Sequence, residues 1–80
     1  MIRQSNEFTL RLRRTYAAAL YEDSTATLDH LREAVTTLED TAQIARRVLG
    51  FSHPLTISIA ADLQTSRAAL RARETPPEIA

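Results

Sequence analysis

The stretch from Leu28 to Pro54, LDHLREAVTTLEDTAQIARRVLGFSHP, decides the fold of this 80-residue chain. Its apolar residues recur at intervals of three and four, which is the period of one face of an α-helix. The pattern stops at Gly50, a residue type that commonly ends helices in a left-handed conformation, and Pro54 suits the first turn of a following helix. The stretch therefore predicts one long helix with an apolar packing seam, followed by a short connection. The seam is predicted to consist of Leu28, Leu31, Val35, Leu38, Ala42, Ile44 and Leu49.

The rest of the chain predicts one helix on each side of this long one. We expect helices over residues 7–22, 25–49 and 54–73, a non-helical extension over residues 1–6 and a disordered tail over residues 74–80. Ser5 is the expected N-cap of the first helix. No alternation of apolar and polar residues is long enough to predict a strand. The expected fold is all-α, with three antiparallel helices.

An apolar face is also predicted for the first helix. Phe8, Leu12 and Tyr16 follow one another at spacings of four, so they share a face that we expect to pack into the core, together with Ala19 and Leu20. Tyr16 is accordingly expected to be buried. Tyr21 is the tyrosine expected to remain exposed, where it could contact a partner.

The composition limits the classes of function. The chain has no cysteine, which excludes disulfides and thiolate metal sites, and its ten basic and ten acidic residues give a net charge of zero. All ten basic residues are arginine. A balanced charge predicts no general attraction to nucleic acid or to an anionic membrane. No secretory signal or membrane-spanning stretch is evident, so the expected compartment is the cytoplasm.

No group of residues predicts a catalytic, cofactor-binding or metal-binding site. His30 and His53 lack the spacing of helical metal ligands, and the adjacent Glu39 and Asp40 diverge on a helix instead of converging on a substrate. No glycine-rich loop is present to bind a phosphate. We therefore expect a protein that is not an enzyme and that uses no cofactor or small-molecule substrate.

The joint between the second and third predicted helices resembles a joint found in a known repeat family. Val48, Leu49, Gly50, His53, Pro54 and Thr56 stand at the spacing of the inter-repeat joint in kinesin light chain-like tetratricopeptide repeats. The chain resembles this family over residues 8–63, which would correspond to one repeat and the first helix of the next. The resemblance implies a tetratricopeptide-like helical hairpin followed by a capping helix at the C-terminal end of an array.

The chain also departs from the family pattern. Its connection between the first two helices is longer, and Arg14, Thr15, Ala61 and Asp62 stand where the family often presents asparagine pairs that grip peptides. The family's small position that admits a following repeat is occupied by Gln64, and the next packing position by Arg67. A polar face at these positions is typical of a terminal, solvating repeat.

These observations predict a helical-repeat module for protein–protein interaction or scaffolding. A chain this short has a small core, so we expect it to pack against neighbouring repeats or a second copy of itself. The alternative is a peptide-binding adaptor whose concave surface, formed by the first and third helices, uses Arg11 and Arg14 to recognise acidic residues. Nucleic-acid binding through Arg11, Arg13 and Arg14 is a third and weaker possibility.

Overall fold

Three α-helices make up the structure, a computed structural model that describes residues 3–74, with side chains from Glu7 onward. They are α1 (Arg3–Glu22), α2 (Leu28–Val48) and α3 (Pro54–Glu74). No strand occurs within this described range, and the predicted all-α arrangement of three helices is confirmed. Residues 1–2 and 75–80, which include most of the predicted tail, lie outside the described residues.

The first helix begins earlier than predicted. Because α1 starts at Arg3, Ser5 lies inside the helix and is not its N-cap, and residues 3–6 belong to the helix instead of a non-helical extension. The sequence from Arg3 to Glu7 contains no glycine or proline that would stop the helix from extending toward the N-terminus.

The second helix begins later than predicted, at Leu28 instead of Thr25. Asp23 holds a turn ahead of it, because its carboxylate accepts from the backbone N–H of Thr25 at 2.9 Å and its carbonyl accepts from Ala26 at 3.0 Å. Thr27 is the N-cap: its hydroxyl accepts from the N–H of His30 at 3.2 Å, and Nδ1 of His30 accepts from the N–H of Thr27 at 3.3 Å. This reciprocal pair satisfies two backbone donors that a helix start otherwise leaves free.

The joint between α2 and α3 is built by the residues of the resemblance motif. Gly50 has a φ of +94°, the left-handed conformation that the sequence predicts, and its N–H donates to the carbonyls of Ala45 and Arg46. His53 precedes Pro54, the first residue of α3, and its Nδ1 accepts from the N–H of Leu55 at 3.0 Å. The connection is short enough to bring α3 back along α2.

The core lies where α2 packs between α1 and α3. Ion pairs also join neighbouring helices: Arg13 of α1 contacts Asp40 of α2 at 2.7 Å, and Arg67 of α3 contacts Glu39 of α2 at 3.1 Å. The buried polar side chains also have partners, since the hydroxyl of Thr56 donates to the carbonyl of Ala45 at 3.4 Å. The core cluster comprises Leu10, Ala17, Ala34, Val35, Leu38, Ala42, Ala45, Leu55, Ile59 and Leu63.

The predicted seam of α2 is divided between buried and half-buried positions. Its central residues, Leu31, Val35, Leu38 and Ala42, are buried. The remaining members lie toward the margins of the helix contacts and are half-buried: Leu28, Ile44 and Leu49.

The prediction of which face of α1 packs into the core is wrong. Phe8, Leu12 and Tyr16 are exposed, and Leu10 and Ala17 are buried in their place. Of the other two predicted members, Ala19 is exposed and Leu20 is half-buried. The helix carries two apolar ridges, and spacing alone does not select between them. The rotation of α1 about its own axis places Arg13 and Arg14 at the two edges of the buried ridge. There Arg13 pairs with Asp40 of α2, and Arg14 pairs with Asp62 of α3.

Candidate interaction surfaces

An apolar stripe runs along the outer side of α1, away from the core. It consists of Phe8, Leu12 and Tyr16, which are 60%, 54% and 50% exposed and which we call the α1 stripe. Residues four apart on a helix lie on one face, so the three side chains form one continuous ridge. From their fractional exposure, these side chains leave roughly 300 Å² of surface in contact with water, which is the size of the largest patches on typical monomers.

The outer faces of the other two helices differ from that of α1. The outer face of α2 is polar and charged, and it consists of Asp29, Arg32, Thr36, Asp40, Gln43 and Arg47. On α3 the exposed positions are polar or small, apart from Ile57 at 57% exposure: Ala61, Gln64, Thr65, Ala68 and Arg71. Among the described helices, α1 thus carries the apolar outer face.

A groove of about 360 Å³ lies between α1 and α3, beside the α1 stripe. It is lined by Arg11, Arg14, Thr15, Ala18, Glu22 and Asp62. The structure therefore brings together Arg11 and Arg14, the two arginines that the sequence predicts for partner contact, on one surface. Asp62 is a lining residue whose pairing the sequence does not reveal, because it comes from a helix far along the chain.

Both arginines of the groove already have carboxylate partners. Nε of Arg14 lies 2.5 Å from Oδ2 of Asp62, and Arg11 lies 2.7 Å from Glu7 one turn earlier on α1. The hydrogen bond that Arg14 donates to Asp62 raises the pKa of Arg14, and the bond that Arg11 donates to Glu7 lowers the pKa of Glu7. With Glu22 also present, the groove has no excess of positive charge, so an acidic peptide would compete with carboxylates of the chain itself.

The two tyrosines of α1 exchange the roles predicted for them. Tyr21 is half-buried against the core beside Leu20, and this burial raises its pKa, with a further contribution from the charge of Asp62. Tyr16 lies on the exposed side, where its hydroxyl donates to the carboxylate of Glu33 on α2 and its pKa is raised by that bond. The exposed tyrosine available to a partner is therefore Tyr16, and the prediction that Tyr21 would be exposed is wrong.

The residues of the joint motif have identifiable structural positions. Leu49 is the C-cap of α2, and Val48 is 45% exposed at the end of that helix. Phe51 is 75% exposed, and its ring lies 5.8 Å below the guanidinium carbon of Arg46. The joint therefore presents apolar surface of its own, while Thr56 anchors the start of α3 to α2.

The described residues offer no group of three or more metal-ligating side chains. The two histidines each accept a backbone N–H at a helix start, and the pair of adjacent acidic residues is divided between Arg67 and Arg13. None of the three helices is both long enough and apolar enough to cross a bilayer.

Comparison with known proteins identifies no family. No protein-family model, curated protein or solved structure matches the chain.

Proposed function

We propose that the chain is a non-enzymatic, cytoplasmic helical module for protein–protein interaction, which docks another helix on the outer face of α1. The observation that carries the proposal is the α1 stripe. Three large apolar side chains in helical register are exposed on α1, whereas the exposed positions of α2 and α3 are polar or small apart from the separate residues Val48 and Ile57. Removing an apolar ridge of this kind from water is favourable, and a helical segment of two to three turns matches its length.

The proposal includes the kinesin light chain-like tetratricopeptide repeat as the architecture. It is supported by the joint, where Gly50, His53, Pro54 and Thr56 each have a distinct structural position. The polar outer face of α3, with Gln64 and Thr65 exposed, supports its assignment as a capping helix. In this proposal α1 receives the neighbouring helix and α3 faces solvent.

The experiment that tests the proposal places a photo-crosslinking amino acid at Leu12 in the cells that make the protein. A matched variant carries the same amino acid at Gln43, which is exposed on the outer face of α2. We expect crosslinks from position 12 that map, by mass spectrometry, to the apolar face of a helical segment, and few crosslinks from position 43. Equal yields from the two positions would contradict the proposal.

The peptide-adaptor alternative is supported by the groove between α1 and α3. Its lining pairs each arginine with a carboxylate, which favours a ligand carrying both charges over a purely acidic peptide. The same ion pairs weigh against nucleic-acid binding, because Arg11, Arg13 and Arg14 each contact a carboxylate of the chain.

A further inference from the structure

We propose that the helix docked on the α1 stripe is α1 of a second copy of this chain, running antiparallel about a twofold axis near Thr15. The inference rests on the proposed function, which makes the outer face of α1 a docking surface. It adds the identity of the partner and the orientation of the two helices. The argument comes from how side-chain size and charge are distributed along this one face.

Side-chain size changes from one half of the face to the other. Phe8 and Leu12, in the first half, are large and exposed, Tyr16 lies near the centre, and the face then ends in the small, exposed Ala19. An antiparallel twofold pairing places the first half of one helix against the second half of the other. Leu12 then lies opposite Ala19 of the second copy, so a large side chain meets a small one, and the two Tyr16 side chains lie beside the axis.

Charge also differs between the two halves of the face. Arg11 lies in the first half and Glu22 in the second, and both line the groove beside the stripe. The antiparallel arrangement brings each arginine toward the glutamate of the other copy, whereas a parallel arrangement in register leaves the two residues roughly 16 Å apart along the helix axis. Arg11 also bonds Glu7, but a guanidinium has five N–H donors and can serve a second carboxylate.

The area of the face sets the strength of the association. The stripe offers roughly 300 Å² per copy, compared with about 800 Å² per partner in a stable complex of standard size. The dimer is therefore expected to be weak, because the contact is well below the size of a stable complex.

The first test is sedimentation equilibrium of the full chain from about 10 μM to about 1 mM, a range suited to a weak complex. We expect a mass that rises from monomer toward dimer. Leu12→Asp should remain monomeric throughout, because it places a charge at the centre of the apolar contact. Ile57→Asp is the matched control, since Ile57 is equally exposed but lies on α3, and it should associate like the unmodified chain.

The second test is a charge exchange that reports on orientation. Arg11→Glu and Glu22→Arg should each weaken association about tenfold, because every substitution acts at both symmetric contacts. The double variant should regain most of the loss, since the opposite charges face one another again. Arg47→Glu, a charge reversal on the outer face of α2, should have no effect, and circular dichroism will verify that every variant remains helical.

The outcomes separate the partner from the docking surface. A chain that stays monomeric to about 1 mM, while Leu12 still crosslinks to a helix in cells, overturns the self-pairing and leaves the proposed function standing. A monomer with no preferential crosslink from Leu12 overturns both. A dimer that Leu12→Asp leaves intact, or one that the double charge exchange fails to restore, overturns the antiparallel α1 pairing.

Discussion

Alanine substitutions at Leu10 and Leu12 should have very different effects on stability, although the two leucines lie two positions apart on α1. Leu10 is 2% exposed and belongs to the core cluster, whereas Leu12 is 54% exposed. Deleting a fully buried leucine side chain costs about 3 kcal/mol, within a usual range of about 2–5 kcal/mol. Leu12 already has about half of its surface in water, and alanine favours helix slightly, so Leu12→Ala should cost less than about 1 kcal/mol.

The expected thermal shifts follow from the size of the chain. For domains of this length, 1 kcal/mol changes the melting temperature by about 4–8 °C, so Leu10→Ala should lower it by about 12–24 °C. Leu12→Ala should lower it by less than about 8 °C. Because a core this small supplies only about 3–5 kcal/mol, the Leu10→Ala variant should be partly unfolded before heating.

The measurement is thermal and urea unfolding followed by far-UV circular dichroism. A protein concentration of about 10 μM keeps the proposed dimer dissociated, so docking does not contribute to the stability of either variant. Equal destabilisation by the two substitutions, or a larger effect at Leu12, would show that α1 is rotated differently from the structure and would remove the basis for the α1 stripe.

Three further predictions concern the joint, the groove and the turn between α1 and α2. Gly50→Ala should cost about 1–2 kcal/mol in urea unfolding because φ is +94°, although no atom lies within 4 Å to clash with the added carbon; a neutral effect would contradict this. A double-mutant cycle on Arg14→Gln and Asp62→Asn should give a coupling of about 1 kcal/mol, and additivity would contradict the ion pair. The bonds from Thr25 lower the pKa of Asp23, so the stability they provide is full above about pH 4 and is lost as the pH falls through the folded pKa. An NMR titration should find that pKa below the unfolded value, and Thr25→Val should raise it.

The sequence was sufficient to predict the number of helices and the position of the joint. The period of α2 is unambiguous because its outer face is consistently polar, and Gly50 and Pro54 are strong local signals that act through the backbone itself. The residue at which α2 begins was harder to predict. Asp23, Thr25 and Thr27 can all cap a helix, and only the reciprocal bonds with His30 select Thr27.

The rotation of α1 could not be predicted from local pattern. Both of its ridges are apolar at helical spacing, and the choice between them depends on Asp40 and Asp62, which come from other helices. One signal was available: Arg13 and Arg14 flank Leu10 and Ala17, and long charged side chains often border a buried ridge. The same ambiguity explains why the exposure of Tyr16 and the pairing of Arg14 with Asp62 were not predicted.

The contrast between the outer faces of α1 and α3 also determines how far association can proceed. If α1 pairs with α1 of a second copy, both apolar stripes are covered, and the outer faces that remain belong to α2 and α3, which are polar or small apart from Val48 and Ile57. Head-to-tail stacking of α1 on α3 would instead leave a free stripe at one end and would continue without limit. Such stacking requires an apolar face on α3, where Ile57 is the single large apolar side chain exposed on the described helix. The sedimentation mass should therefore level off at two copies, and continued growth with concentration would identify α3 as the surface on which α1 docks.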